Sequence, residues 1–462
     1  MSTTHPLRFQ PLGANGKIQA RSTSGRYNTL RWAMVALTQL VFYGLCWLDW
    51  GGRQAVLFHL DGRKFYFFDL VLWPQDVLYL ALLLIISAAG LFAVTAVAGR
   101  LFCGFACPQT VYTALFMGIE SRIEGDRMAR LKLDASPWNA EKILRRGGKH
   151  LAWLAVAGWT GVTFVGYFTP IRELLPTLGH LGSGPWETFW VLFYAGFTYM
   201  QAGFLREQVC QHMCPYSRFQ GVMFDPQTIN VGYDVQRGEP RGAQRKEVPA
   251  GESKAQGDCV DCTLCVQVCP TGIDIRNGLQ YACISCGLCI DACNKVMDKI
   301  GAPRGLIRFD SNDRLEGNKA SVFRFWRPRV IAYTALLAAM AVALVAGLAQ
   351  RIPLRVDVLR ERNALAREVE DGWVENIYTV KLINMAETPR RFQLAVSGLP
   401  EAHIAGATEV AAAGGEVTSL VVAVRAHPDG NDRHSQPITL KVNALDDPAR
   451  VQVQEKTAFL LP

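Results

Sequence analysis

The chain has 462 residues, half of them apolar, and a formal net charge of +8; its mean hydropathy is +0.11. This length and composition exclude a single small domain and an ordinary soluble protein, and they favour a membrane protein with soluble attachments. The positive charge lies beside apolar segments and shows no repeating basic and aromatic pattern. We therefore expect it to orient the chain in membrane lipid, with no nucleic-acid partner.

Five apolar stretches are long enough to cross the roughly 30 Å hydrocarbon layer of a membrane. They follow a polar, basic tail, residues 1–31, which carries no signature of a cleavable signal peptide. The fold class predicted from this pattern is a multi-pass α-helical membrane protein with five spans. The predicted spans are Trp32–Trp50, Asp76–Gly99, His150–Thr169, Trp186–Phe204 and Val330–Leu348.

Basic residues predict the orientation of these spans, because cytoplasmic loops carry an excess of lysine and arginine. They are dense ahead of the first span and between the second and third. With five spans and the amino end inside, the carboxyl end is expected in the periplasm of a bacterial inner membrane. The predicted domains are the cytoplasmic tail 1–31, a membrane domain 32–204, a cytoplasmic segment 205–329, a fifth span 330–349 and a periplasmic domain 350–462.

Two C-x3-C-P motifs follow the second and fourth predicted spans, and we interpret them as an internal repeat. A spacing of four places both thiols on one face if the segment is helical. Two such pairs on one side of the membrane would suit Cu(I) or a redox-active dithiol. The alternative is buried small residues at helix ends, with each proline opening the next helix. Spacing alone does not choose between a metal site, a disulfide and an electron relay; the candidate catalytic and copper-binding cysteines are Cys103, Cys107, Cys210 and Cys214, with His212 and Met213 as further copper candidates.

Eight cysteines form two C-x2-C-x2-C-x3-C runs in tandem, the pattern of a bacterial two-cluster ferredoxin in which each fourth cysteine crosses to the other cluster. A zinc site is disfavoured, because zinc takes its four ligands as two pairs. Clusters persist best in a reducing compartment, which agrees with a cytoplasmic ferredoxin domain at about 250–310. We expect one [4Fe–4S] cluster on Cys259, Cys262, Cys265 and Cys293, and the second on Cys283, Cys286, Cys289 and Cys269.

The last hundred residues change to short alternating runs separated by turn residues. Period-two runs at this spacing predict a small β-sandwich of immunoglobulin type. It contains no cysteine, so no disulfide is expected in it. The predicted strands are Val374–Ile383, Arg391–Val396, Glu416–Val424, Ile438–Val442 and Val451–Phe459.

Several longer segments extend the pattern beyond the cysteines, and with them the sequence resembles the CcoG/FixG/RdxA family of cytochrome oxidase accessory proteins. The resemblance covers nearly the whole chain and is looser in the last domain. The matching segments include Gly52-Arg53-Gln54-Ala55-Val56-Leu57-Phe58, Gly99-Arg100-Leu101-Phe102-Cys103-Gly104, Arg206-Glu207-Gln208-Val209-Cys210 and Cys214-Pro215-Tyr216-Ser217-Arg218-Phe219-Gln220.

This resemblance implies a membrane-bound Cu(II) reductase that supplies Cu(I) for assembly of a cbb-type cytochrome oxidase. Electrons are expected to pass from a cytoplasmic donor through two [4Fe–4S] clusters to copper, which is substrate or transient ligand, near the membrane-proximal cysteines. The expected partners are this donor, a copper transporter or chaperone, and oxidase assembly factors. Two alternatives stay open: a quinol-linked electron-transfer module and a non-catalytic assembly scaffold.

Overall fold

The computed structural model describes residues 18–180, 182–243, 256–315, 326–361, 366–369, 372–427 and 434–461. Most of the predicted tail and parts of the predicted cytoplasmic segment lie outside these residues. The chain forms two compact units. One contains the residues up to Asp69 and from Leu80 to Val342, and the other contains Leu70–Tyr79 and the residues from Ala343 onward.

Helices dominate the first unit. Short 3-10 turns occur there at Leu45–Trp47 and Ile275–Asn277, and in the second unit at Pro74–Asp76. Turns of π-helix occur at Gln201–Leu205 and Val209–Met213. The α-helices are α1 (Arg26–Gly44), α2 (Val77–Ala98), α3 (Leu101–Phe105), α4 (Pro108–Ile123), α5 (Arg127–Ala135), α6 (Ala140–Val165), α7 (Ile171–Gly179), α8 (Pro185–Met200), α9 (Pro215–Met223), α10 (Val235–Gly238), α11 (Leu264–Gln267), α12 (Leu288–Lys299), α13 (Asn312–Leu315) and α14 (Pro328–Ala349).

The strands lie between helices in the first unit and fill most of the second. They are β1 (Asp49–Trp50), β2 (Arg53–Gln54), β3 (Val56–His59), β4 (Lys64–Phe67), β5 (Leu70–Leu72), β6 (Ile229–Tyr233), β7 (Ile307–Ser311), β8 (Leu354–Arg360), β9 (Arg367–Glu368), β10 (Val374–Asn384), β11 (Arg390–Ser397), β12 (His403–Ala405), β13 (Glu409–Ala412), β14 (Val417–Ala426), β15 (Ser435–Ala444) and β16 (Gln452–Leu460).

Among the described residues, four helical segments are long and apolar enough to cross a membrane: Arg26–Trp47, Pro74–Ala98, Leu101–Ile123 and Pro328–Ala349. Three of them coincide with predicted spans, whereas Leu101–Ile123 was not predicted. The predicted third and fourth spans correspond to α6 and α8. Neither helix is both long enough and apolar enough to count among the four. The first turns of α6 are basic, and α8 passes into π-helical geometry after 16 residues. The number of five spans stays a prediction.

The first span begins earlier than its apolar residues indicate, at Arg26 instead of Trp32. Its N-cap is Gly25, which has no side chain to cap the helix. The carboxylate of Asp291 in α12 does this instead, accepting hydrogen bonds from the backbone N–H groups of Tyr27 at 3.3 Å and Asn28 at 2.8 Å. A carboxylate at this end also suits the helix dipole. A distant residue therefore sets where the helix starts.

A fully buried carboxylate, Glu120 in α4, joins the helices of the first unit. Its oxygens lie 2.8 Å from Arg206, 3.3 Å from Arg130 and 4.0 Å from Lys149. Lys149 also pairs with Glu124 at 2.8 Å. Buried charges are tolerated only when they are paired in this way. The network fixes α4, α5 and α6 relative to the π-helical region that contains Arg206.

The second unit is a β-sandwich, and the structure confirms the five predicted strands as β10, β11, β14, β15 and β16. One sheet has the order β12-β14-β10-β8, with β9 also paired to β10, and the other has the order β13-β11-β15-β16. Every pairing is antiparallel. Between the sheets, the Tyr378 hydroxyl donates to the Ala458 carbonyl at 2.9 Å, within a shared apolar core. The strands β8, β9, β12 and β13 were not predicted.

Candidate functional site

Both runs of clustered cysteines have the same local backbone. In the first run Asp261 and Thr263 have φ angles of 52° and 56°, and in the second run Ser285 and Gly287 have φ angles of 52° and 75°. These residues occupy the same two positions, the second and fourth after the first cysteine of each run. Left-handed residues alternating with ordinary ones turn successive N–H groups into a concavity that suits an anion. Both segments are therefore wound in the manner that a cluster and its thiolates require.

The eight cysteines line two adjoining cavities, and the fourth cysteine of each run reaches the cavity of the other run. Beyond the thiols the walls are mainly apolar, contributed by side chains such as Val231, Ile275, Met297 and Ile307. Cys265 borders both cavities. The first cavity contains Cys259, Cys262, Cys265 and Cys293, and the second contains Cys269, Cys283, Cys286 and Cys289.

The chemistry of these thiols fits two [4Fe–4S] clusters. Burial raises the pKa of Cys265, Cys283 and Cys293 to about 12. A thiolate at these positions therefore needs a cation beside it, and iron held by four thiolates supplies that charge. Mainly apolar walls exclude water from such a group.

The buried guanidinium of Arg276 lines the first cavity and is held by a bidentate pair with Asp274, at 2.8 and 2.7 Å, and by Asp261. Burial by itself opposes the charge on Asp274, but the hydrogen bonds from Arg276 outweigh it and hold the pKa of this carboxyl below its usual value. The pair therefore places a fixed cation and its counter-ion at the edge of the first cavity.

The C-x3-C-P motifs are not continuous helices, so the two thiols of a motif do not share one helix face. Helix α3 ends at Phe105, and Cys107 is extended, with φ −62° and ψ 127°. Cys214 is extended in the same way, with φ −81° and ψ 110°. A residue that precedes proline is sterically excluded from the α region. Pro108 and Pro215 therefore break one helix and begin the next, α4 and α9.

The structure brings the four thiols of these motifs together all the same. Cys103 and Cys107 are each close enough to Cys214 to interact with it electrostatically. Cys210 interacts in the same way with all three other thiols. The Gln220 amide donates to the Cys103 thiol at 3.3 Å. We call Cys103, Cys107, Cys210 and Cys214 the thiol quartet.

Among the residues that the structure describes, no three His, Cys, Asp or Glu side chains form a closed site for a single metal ion, either in the quartet or in the two cluster cavities. The four thiols are half-buried, whereas His212 and Met213 are exposed. A role of these two side chains in binding copper stays a prediction.

The quartet adjoins the second cluster cavity through α3. A Cβ atom on Gly104 would lie 2.7 Å from the Ile284 carbonyl, 2.9 Å from the Ser285 carbonyl and 3.1 Å from the Cys286 Cα. Only glycine permits this approach. Cys103, one residue earlier, packs against the apolar cluster that contains Cys286. The first C-x3-C-P motif is thus in direct contact with the loop that carries Cys283 and Cys286, which line the second cavity.

Arg100 connects three parts of the chain, namely the two C-x3-C-P motifs and the second cluster loop. Its buried guanidinium donates to the Cys283 carbonyl at 3.3 Å and to the Ser217 carbonyl at 2.6 Å. The Ser217 hydroxyl in turn donates to the Cys210 carbonyl at 2.5 Å. One cation therefore connects the second cluster loop with both C-x3-C-P motifs.

The second motif depends on a strained residue, Arg206, between the two π-helical turns. Its φ is 40° and its ψ is −111°, a region that side chains rarely adopt. Its guanidinium is held by Glu120 at 2.8 Å, and its carbonyl accepts from Gln109 at 3.1 Å. Strain and π-helical turns cluster at functional sites. Gln109 lies two residues after Cys107, so this contact draws the two motifs together.

Sequence reasoning assigned no role to Arg100, Arg206 or Gln220. All three lie inside the segments that carry the family resemblance, which was the one available signal. Their contacts are with residues distant in the chain, so no local pattern could have identified them.

Three family models match the chain. Residues 205–312 match a 4Fe–4S dicluster domain, and residues 80–124 match a 4Fe–4S binding domain. Residues 344–462 match the Ig-like fold at the C-terminus of FixG, a putative oxidoreductase. The matches support iron–sulfur clusters in the first unit and an Ig-like fold in the second.

Curated relatives match over most of their length. The nitrogen fixation protein FixG of Rhizobium meliloti is 38% identical over 87% of this chain and 83% of its own. Protein RdxA of Cereibacter sphaeroides is 41% identical over 92% of each chain. Protein RdxB of the same organism is 41% identical over 82% of this chain and 81% of its own.

Proposed function

Since this chain belongs to the FixG/RdxA family of membrane-associated iron–sulfur redox proteins, we propose that it reduces Cu(II) to Cu(I) at the thiol quartet, to supply copper for assembly of a cbb-type cytochrome oxidase. The observation that carries this proposal is the contact of Gly104 and Cys103 with the loop Cys283–Cys286. The quartet therefore lies beside the cysteines that would hold the second cluster.

The chemistry of the quartet suits this reaction. Each Cu(II) ion takes up one electron to become Cu(I), and [4Fe–4S] clusters, when bound, supply single electrons at potentials that reach about −700 mV. Soft thiolate ligands select Cu(I). The half-buried thiols, held near one another without forming a closed metal site, would receive a copper ion that is substrate and then release it.

The buried cation of Arg100 would hold the motif turns and the second cluster loop in one arrangement through the transfer. The electron donor would be a cytoplasmic protein or cofactor, and a copper transporter or chaperone and oxidase assembly factors would exchange copper with the quartet. In this proposal the cluster-bearing side of the protein lies in the cytoplasm and the sandwich lies in the periplasm.

The test is an anaerobic assay on the full-length, cluster-loaded protein. The clusters are reduced, excess reductant is removed, Cu(II) is added, and cluster bleaching is followed together with Cu(I) captured by a chromogenic chelator. Replacing the quartet with serine should abolish Cu(I) formation while the iron content stays unchanged. The matched control is Cys46→Ala, which changes the one cysteine outside both sets, a buried thiol that donates to the Tyr43 carbonyl. Unchanged copper reduction in the quartet variant would contradict the proposal.

A second function, an electron-transfer module in which the quartet holds a further iron–sulfur group, is favoured by one observation. The 4Fe–4S binding domain matched at residues 80–124 contains Cys103 and Cys107. In that case the purified protein would carry about twelve iron atoms, not about eight. The quartet variant would then lose about four of them, and quinol, not copper, would exchange electrons with the clusters.

A further inference from the structure

A cavity of about 280 Å³ adjoins the second cluster region, with which it shares Leu288. It is bounded by the segment Ala20–Thr23, by α1, by α4 and by the loop residues Val268 and Pro270. Its apolar walls include Trp32, Met117 and Leu288. Four arginines also line it, and we call it the arginine cavity: Arg21, Arg31, Arg122 and Arg130.

Arg31 is the residue that makes this cavity a binding site. The side chain is 7% exposed, and its Nε and Nη2 atoms are buried without a hydrogen-bond partner among the described residues. The Arg31 charge acts on the Cys286 thiol, but buried donors without acceptors still carry a cost in free energy. A guanidinium in this state is complementary to an anion in the cavity that it lines.

Arg130 adds a second buried guanidinium. Its Nη1 atom pairs with Glu120 at 3.3 Å and its Nη2 atom with the Ala20 carbonyl, while Nε is buried without a partner. No carboxylate is among the described residues that line the cavity, although Ser22, Asn28 and Ser121 offer further polar groups. The first 17 residues contain no Asp or Glu either. Since Glu120 neutralises Arg130, the excess positive charge of the cavity comes from Arg21, Arg31 and Arg122.

Arginine forks match the oxygens of a phosphate group bidentately, and several arginines with nearby hydroxyls suit a dianion better than a single carboxylate. The volume is near the lower end of the range for small-molecule sites, which leaves room for a phosphate and the part of the molecule next to it. The apolar side of the cavity would accept that part.

We propose that the arginine cavity binds the phosphate group of an anionic ligand, with Arg31 as its central contact. The position of the site gives the ligand two possible sources. Arg31 lies in the first turns of α1, one of the helices long and apolar enough to cross a membrane, and basic residues beside such a helix attract anionic lipid headgroups. The second source is a soluble phosphate-bearing molecule. Leu288 lines both this cavity and the second cluster cavity, so such a molecule would bind beside the iron–sulfur site.

The experiment uses the full-length, cluster-loaded protein, delipidated in a neutral detergent, and measures its thermal unfolding. One arm compares inorganic phosphate with sodium chloride at matched ionic strength. The other arm compares short-chain phosphatidylglycerol with the diacylglycerol of the same chain length, which lacks phosphate. A ligand that binds the folded state raises the unfolding temperature according to its concentration and affinity. A rise with both compounds identifies a general phosphate site, and a rise with phosphatidylglycerol alone identifies a lipid headgroup site.

The deciding variant is Arg31→Met, and Arg26→Met is the matched control, because Arg26 is an exposed arginine on the same helix that does not line the cavity. Arg31→Met should lose the rise caused by phosphate or phosphatidylglycerol, which Arg26→Met keeps.

Arg122→Gln gives an independent check if Arg31→Met does not fold, because the Arg122 side chain is exposed and tolerates change. It should weaken phosphate binding about tenfold. The proposal is overturned if neither phosphate compound raises the unfolding temperature of the wild type, or if the rise is undiminished in Arg31→Met or, failing that variant, in Arg122→Gln.

Discussion

In the two cluster runs, three thiols reach each cavity through the turns of one short segment, whereas the thiol quartet is assembled from two motifs far apart in the chain. The cluster runs carry left-handed residues between their cysteines, so the local backbone directs the thiols inward. The quartet has no such local design. Its thiols meet because Gln109, Arg206 and Arg100 hold the two motifs together. Groups of thiols can thus be brought together by local geometry or by tertiary contacts, and the two should respond differently to mutation.

The largest difference is expected when a thiol is removed from each set. Cys286→Ser should lose the second cluster, so that iron falls from about eight to about four atoms per chain. Cys103→Ser should keep all of the iron and lose only copper reduction. Iron quantification and low-temperature electron paramagnetic resonance check this result. An equal loss of iron in both variants would show that the quartet also holds a cluster.

Gly104→Ala tests the junction between the two sets. The new methyl group would collide with the Ile284 and Ser285 carbonyls, so α3 must move away from the second cluster loop, at a cost of about 1–3 kcal/mol. Cluster re-oxidation by Cu(II) should slow at least about tenfold, while the iron content stays constant. Stopped-flow absorbance measures the rate. The control is Gly158→Ala in α6, where the added atom meets nothing within 4 Å; equal rates in the two variants would remove the junction from the mechanism.

Asp274→Asn should have a smaller effect, confined to the first cluster. Loss of the bidentate pair leaves the positive charge of Arg276 less neutralised, so the reduction potential of the first cluster should rise. The free energy of unfolding should fall by about 1–3 kcal/mol. The folded pKa of Asp274 is lowered, because hydrogen bonds from Arg276 outweigh the opposing effect of burial. Its contribution to stability is therefore complete above the unfolded pKa of about 3.9 and is lost as pH falls through the folded pKa.

Redox titration and denaturant unfolding at pH 7 and pH 5 check this prediction. The stability difference between the wild type and Asp274→Asn should be the same at both pH values. A difference that already narrows at pH 5 would contradict the lowered pKa, and a shift in the second cluster would show that Arg276 acts on both.

The smallest effect is expected from Asp291→Asn, which weakens the cap of α1. Replacing a charged cap should cost about 1 kcal/mol. The control is Asp298→Asn. Asp298 lies on α12, as Asp291 does, but it is exposed in a surface pair with Arg304, so its replacement should change stability little. Hydrogen exchange of the Tyr27 and Asn28 amides measures the loss directly. Unchanged exchange in Asp291→Asn would mean that the helix start at Arg26 has another cause.

The sequence by itself determined those features whose cause lies within a few residues. Cysteine spacing predicted two sets of four cluster ligands, and the thiols of each set line one of two adjoining cavities, with Cys265 bordering both. Period-two runs predicted five strands of the sandwich, and apolar runs predicted the helices α1, α2 and α14. Short strands such as β12 and β13 carry too few residues to show a period, and they form only because longer strands lie beside them.

Only the tertiary structure decided the features that depend on distant partners. Asp291 sets the start of α1, proline breaks the motif helices and yet the four thiols still meet, and Arg100 reaches the second cluster loop from the first motif. The arginine cavity is likewise formed by segments separated along the chain. The physical reason is that hydrogen bonds, buried ion pairs and close glycine contacts depend on distance in space, which spacing along the chain does not encode.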